Sequence, residues 1–131
     1  MRKFDDVDRT LNAVKEYGAR LIIISNIASE MWLRIYLNRL GIAGYFDYLV
    51  ASGSVGFEKP DTRVFRHAAS LVGVEPQGIM HVGDSYEHDY LGAQAAGFFP
   101  VLVDRYGRNM DKNCRKIDKL YELVDFLQEA L

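Results

Sequence analysis

The sequence predicts an α/β fold, a parallel sheet with helices on both faces. Three observations carry that prediction. Short apolar runs rich in β-branched residues, such as Leu21-Ile22-Ile23-Ile24, alternate with segments of helical periodicity. The runs are continuously apolar, as strands covered on both faces must be. Glycines stand where the helical segments stop, at Gly18, Gly41, Gly73 and Gly97.

Each element follows in order. Asp5 or Asp6 can cap a first helix with Val7, Leu11 and Val14 on one face. Arg20 to Ile24 reads as a strand. Ser29 to Leu40 is helical, with Trp32, Ile35, Tyr36 and Leu40 at helical spacing. Tyr48 to Ala51 is a second short strand, and Ser52 to Pro60 a loop. Asp61 caps a helix carrying Val64, Phe65, Ala68 and Leu71. The third strand is Ile79 to Val82. The fourth is Phe99 to Val103, where Pro100 suits a sheet edge or a strand start. Asp104 to Cys114 reads as loop, and Ile117 to Leu131 as an amphipathic helix with Leu120, Leu123, Val124 and Leu127 inward.

Bulk properties narrow the class. At 131 residues, with no repeat or linker-like tract, the chain is expected to form one domain over 1–131. A net charge of -2 suggests no nucleic-acid partner. No apolar run approaches a membrane span, and Met1 to Phe4 lacks the apolar core of a leader. The single cysteine, Cys114, offers neither a disulfide nor a metal-ligand spacing, which fits a reducing cytoplasm.

Three polar clusters follow strand ends, where open α/β sheets bind ligands. Ser25-Asn26 follows the first strand. A hydroxyl and an amide there could hold phosphate oxygens beside backbone N–H groups; either residue could instead cap the next helix. Glu58-Lys59-Pro60-Asp61 lies between the second strand and its helix. Lys59 is placed to neutralise an anion, or is a solvated surface charge. Asp84 and Asp89 follow the third strand within Gly83-Asp84-Ser85-Tyr86-Glu87-His88-Asp89-Tyr90. They are oxygen donors of the kind Mg²⁺ prefers, or a helix cap plus a first-turn acid.

In this order the clusters resemble the motifs of the haloacid dehalogenase superfamily of phosphatases and related hydrolases. Leu21 to Asn26 looks like its second motif, Gly56 to Asp61 its third, and Gly83 to Asp89 with Ala95-Ala96-Gly97 its fourth. The resemblance runs from the first helix to Asp104-Arg105. It implies a Rossmann-like three-layer core and an Mg²⁺-dependent phosphohydrolase acting on a small phosphorylated metabolite. It implies that Asp84 ligates Mg²⁺ and that Asp89 supports the site. Ser25 and Asn26 would bind the phosphoryl group, and Lys59 would neutralise charge on it.

The family's first motif, DxDxT at the end of a strand, carries the nucleophile. Asp6-Val7-Asp8-Arg9-Thr10 matches its letters. Its apolar spacing is helical, only Met1 to Phe4 precedes it, and it leaves no room for a crossover before the next strand. The segment is therefore read as a decoy, and the chain as the carboxyl-terminal part of a longer family member lacking the first, central strand and the cap. That loss predicts a gap in the sheet, or direct pairing of the strands at Leu21–Ile24 and Ile79–Val82. It further predicts marginal stability, or a partner chain that supplies the strand. The chain alone is expected to be inactive.

Two other readings compete. One is a non-catalytic, truncated or degenerate fold that binds metal or phosphate weakly. The other is a phospho-acceptor receiver domain, which the order of Lys59 before Asp84 opposes. His67, His81 and His88 form no metal spacing. His81 is expected to be a core or near-core imidazole with a hydrogen-bond partner, and His88 exposed. Tyr86 and Tyr90 are expected to pack, and Trp32 to lie in the core or against a cap.

Overall fold

The computed structural model describes residues 5–130, with side chains through Leu127. Met1 to Phe4 and Leu131 lie outside the described residues. The chain runs α1 (Asp6–Glu16), β1 (Ile22–Ser25), α2 (Glu30–Leu40), β2 (Tyr48–Ala51) and a one-turn α3 (Ser52–Val55). It continues through α4 (Thr62–Val72), β3 (Met80–Gly83), a π-helical turn at Tyr86–Leu91 and α5 (Gly92–Ala95). β4 (Phe99–Val103), β5 (Lys116–Ile117) and α6 (Leu123–Ala130) complete it.

Every strand pairing is parallel. The strands form two separate ladders, β1-β2 and β3-β4-β5. Among the described residues no strand joins β1 to β3, so the sheet opens between them, the first of the two expected outcomes. This also explains why β1 is less buried than its composition predicts. Only Ile24 is buried there, because an unpaired edge leaves its neighbours partly open.

Alternation along β1 divides the core. Ile22 and Ile24 point to a cluster with Val50, Val64, Phe65, Ala93 and Phe98, under α4 and α5. Leu21 and Ile23 point the other way, to Leu11, Leu33, Leu37 and Ala51, under α1 and α2. A third cluster places Val14, Val101, Val103, Ile117 and Leu123 under α1 and α6. Helices thus cover both faces, as the α/β three-layer reading requires. Phe65 is completely buried, and burying such a side chain contributes about 1.5–3 kcal/mol. It meets Phe98 edge to face, with ring centres 5.5 Å apart.

Helix ends follow their caps. The Ser29 hydroxyl accepts from the Trp32 amide at 3.2 Å and starts α2. That start turns Leu33 and Leu37 inward. Trp32 is 53% exposed, so its core reading is wrong. It lines an open groove of about 460 Å³ with Ile27, Ile35, Tyr36, Arg39 and Leu40. On α4, Val72 is buried in place of the expected Leu71.

The carboxyl-terminal region also departs from expectation. Lys116-Ile117 pairs with Leu102-Val103, making a strand where a helix start was read. Non-local pairing overrides local periodicity here, and α6 begins at Leu123. The loop before β5 is organised by two charged groups. The buried Asp104 carboxylate accepts from the Arg108 and Asn109 amides, each at 3.0 Å. The Lys116 ammonium donates to the carbonyls of Asn109, Met110 and Lys112. Pro100 is the second residue of the middle strand β4. Only β3 flanks it, because β5 reaches no further than Leu102.

Candidate functional site

The three sequence clusters meet at one rim, beyond the carboxyl ends of β1, β2 and β3. Ser25 ends β1, in register with Ala51 at the end of β2. Neither Ser25 nor Asn26 caps α2, since Ser29 does. Their alternative reading as caps therefore falls away. The loop that carries them is fastened to α3. Ile27 O accepts from Gly53 N at 2.9 Å, and the Ser54 hydroxyl accepts from Glu30 N at 2.9 Å.

Asn26 does something the sequence did not suggest. Its amide donates to Lys59 O at 3.1 Å and accepts from Lys59 N at 2.9 Å. This two-point clamp spans 33 residues and fixes the Lys59 backbone at the rim. A cis peptide bond joins Lys59 to Pro60. Asp61 then caps α4, accepting from Arg63 N at 2.9 Å, while the Arg63 guanidinium grips the same carboxylate. The Arg63 hydrogen bonds hold the Asp61 carboxyl down to about 2.

Lys59 turns its side chain toward Asp89. Nζ lies 2.7 Å from Oδ1, and the two side chains are 14% and 6% exposed. His81 Nε2 meets the same oxygen at 3.0 Å. The other oxygen accepts from Ser85 N at 3.1 Å. Burial pushes the Asp89 carboxyl upward, but the His81 hydrogen bond and the Lys59 charge outweigh it. The net result is a carboxylate held well below its usual range.

Two glycines make this approach possible. A side chain at Gly83 would overlap the Asp89 carboxylate. One at Gly92 would strike the Phe65 ring at 2.8 Å and the Pro60 backbone at 3.0 Å. The absence of both Cβ atoms lets the π-helical turn and α5 settle against the end of β3 and the Lys59-Pro60 loop.

Asp84 stands apart from this cluster. It is exposed at the end of β3 and has no ion-pair partner among the described residues. It is not the helix cap. The Ser85 hydroxyl takes that role, accepting from His88 N at 3.1 Å. The His88 ring is exposed and meets Ser85 Oγ at 3.0 Å. Tyr86 and Tyr90 stack with ring centres 5.8 Å apart, and Tyr90 OH accepts from Arg115 N at 3.1 Å.

Among the described residues, no three His, Cys, Asp or Glu side chains gather as a metal cage. Mg²⁺ does not need one, because it keeps several waters and takes one or two carboxylates plus substrate oxygens. Asp84, an exposed carboxylate with no cation on it, fits as one such donor. Asp89 fits less well, since Lys59, His81 and Ser85 already use its oxygens.

The DxDxT lookalike lies elsewhere. Asp6 to Thr10 is the first half of α1. Asp6 pairs with Arg105 at 3.0 Å, and Thr10 Oγ1 donates to Asp6 O at 2.6 Å within the helix. Asp6 therefore joins α1 to the segment after β4, and no strand presents it to the rim.

His81 is the site residue that the sequence reads as a core or near-core imidazole, and its side chain is 12% exposed. It does have the expected hydrogen-bond partner, but that partner is Asp89. Its position two residues before Gly83, on the same strand face, was the only available signal.

Comparisons with known proteins agree with this fold. Residues 2–97 match the family model described as hydrolase, haloacid dehalogenase-like hydrolase. The chain is 40% identical over 105 residues to glyceraldehyde 3-phosphate phosphatase of Methanothermobacter thermautotrophicus, covering 79% of this chain and 46% of that protein. It is 38% identical over 99 residues to the Homo sapiens haloacid dehalogenase-like hydrolase domain-containing protein 3, covering 76% and 39%. The chain thus spans less than half the length of these two relatives. Among solved structures, a HAD phosphatase from Thermococcus onnurineus superposes with a TM-score of 0.86 at 30% identity, covering 95% of this chain and 57% of that one. A 2-haloacid dehalogenase from Pseudomonas syringae gives 0.85 at 27%, covering 98% and 54%. The chain belongs to the haloacid dehalogenase-like hydrolase family.

Proposed function

We propose that this chain carries the phosphate-handling half of an Mg²⁺-dependent phosphohydrolase acting on a small phosphorylated metabolite in the cytoplasm. One observation supports this above all. Lys59 is pinned by its backbone to Asn26 and by its ammonium to Asp89, at the rim where β1 and β3 end. A cation fixed at both ends costs little reorganisation when an anion arrives.

In this reading Ser25 donates its hydroxyl to a phosphoryl oxygen, with the backbone N–H groups after β1. Asn26 contributes by holding Lys59 as well as by its place on the rim. Lys59 offsets charge on the phosphate, and Asp89 keeps Lys59 aimed. Asp84 would hold Mg²⁺, which supplies charge neutralisation at the phosphate when bound. The nucleophilic aspartate that would form an aspartyl-phosphate belongs to a strand between β1 and β3. We place it in a longer form of the protein or on a partner chain, and take this chain alone to be inactive. The open sheet supports that assignment. It equally favours a second reading, a non-catalytic fold that keeps only weak phosphate and metal binding.

Orthophosphate binding with Mg²⁺ present, followed by ³¹P NMR, tests the site. Lys59→Met and Ser25→Ala are expected to weaken it, Lys59→Met by roughly tenfold or more. Asp84→Ala should remove the Mg²⁺ dependence. Binding that ignores all three substitutions would refute the proposal.

A further inference from the structure

We propose that His81 is a positioning residue for Lys59, acting through the carboxylate oxygen they share. This deepens the phosphate reading of the site, on which its functional meaning rests.

Three facts fix the imidazole. His81 lies on β3, paired in register with Pro100 of the middle strand, so its backbone is held by the sheet. Its ring meets Phe65 edge-on, with centres 5.0 Å apart and planes at 89°. Phe65 is itself completely buried, so that wall does not move. The ring is therefore placed by packing before any hydrogen bond forms.

The hydrogen bond then has one direction. An ionised carboxylate only accepts. Asp89 is held ionised, so Nε2 must carry the proton and donate it, whatever the state of Nδ1. Both His81 Nε2 and Lys59 Nζ donate to Oδ1, at 3.0 and 2.7 Å, while Ser85 N donates to Oδ2. With three donors on two oxygens, the carboxylate cannot rotate about its Cβ–Cγ bond without breaking a contact. Without His81, only Ser85 N and the mobile lysine would restrain it. Lysine is a flexible four-carbon stem, so it takes its position from the rigid partner. Here the rigid partner is Asp89, and His81 is what makes it rigid from the sheet side.

The role differs from core packing in a measurable way. A packing residue would affect stability and leave the Lys59 ammonium as it was. A positioning residue changes Lys59 itself, and a side chain that restores the donor should restore Lys59. Glutamine can offer an amide donor near the position of Nε2, and leucine cannot.

Nitrogen-15 NMR on the chain as it exists tests this in two ways. In the unmodified protein, His81 Nε2 should carry a proton, and the Lys59 ammonium should exchange its protons slowly. In His81→Leu that exchange should speed up by roughly tenfold, and His81→Gln should recover most of the protection. An Nε2 without a proton, or Lys59 exchange unchanged in His81→Leu, overturns the inference. The Nε2 proton needs no variant, so it decides even if His81→Leu does not fold. Orthophosphate affinity separates the two levels. If exchange responds as expected but neither His81→Leu nor Lys59→Met weakens phosphate binding, His81 positions Lys59 and the phosphate reading is what fails.

Discussion

Asp6 and Asp89 are chemically similar. Each is a largely buried carboxylate, each has a cation at 3.0 Å or less, and in each burial pushes the carboxyl up while hydrogen bonds and charge bring it down. Each begins or ends a segment that matches a family motif by letters. They differ in backbone. Asp6 sits in the first turn of α1 and spends its charge on Arg105 and the Tyr121 amide. Asp89 sits on the turn after β3 and spends its charge on the rim lysine. A carboxylate becomes part of a site when a strand end delivers it there together with a second group that an anion needs. The same carboxylate on a helix that no strand end leads into the rim is a staple.

The comparison can be broken most severely at Asp89. Asp89→Ala leaves Lys59 and His81 facing each other without a counter-charge, and should cost about 3–5 kcal/mol in urea unfolding. A loss under 1 kcal/mol would mean that the pair is far more solvated than its geometry indicates. Next comes Gly83→Ala, which crowds the Asp89 carboxylate without removing any charge. About 2 kcal/mol is expected, together with a changed Lys59 ammonium signal. Asp6→Ala should cost less, roughly 1.5 kcal/mol, and leave orthophosphate affinity untouched. Altered phosphate binding in that variant would erase the distinction between site and staple.

The smallest effect is on pH. Asp89 and Asp6 both titrate below their unfolded values. A depressed carboxyl contributes stability that is complete above the unfolded pKa, near 4, and is lost as pH falls toward the folded value. Stability should therefore be level with respect to these groups above about pH 5 and decline below about pH 4. Asp89→Asn should flatten the acid limb more than Asp6→Asn, because its carboxyl is held lower. Equal flattening would contradict the ranking.

Much of the fold was legible. The four longer strands and α4 emerged from apolar runs, an aspartate cap and a glycine stop, all of which are local signals. The order Ser25, Lys59, Asp84, Asp89 was legible because it follows strand ends. What escaped was non-local or ambiguous in phase. The Asn26 clamp on Lys59 joins residues 33 apart, and nothing near Asn26 announces it. Lys116-Ile117 is too short for periodicity and becomes a strand only by pairing with Leu102-Val103. On α2, both Leu33-Leu37 and Trp32-Tyr36 recur at helical spacing, so period alone could not choose the buried stripe. The π-helical turn at Tyr86–Leu91 reads as ordinary helix in sequence, although it is what brings Asp89 back over Gly83.

Turnover is the most direct test of the reading of Asp6 as a staple. p-Nitrophenyl phosphate would be offered with Mg²⁺ to the unmodified chain, to Asp6→Asn and to Asp84→Ala. No turnover is expected from any of them, since the described residues place no acid on a strand between β1 and β3. Turnover by the unmodified chain that Asp6→Asn abolishes would make Asp6 the nucleophile, and would contradict the reading of α1 as a staple.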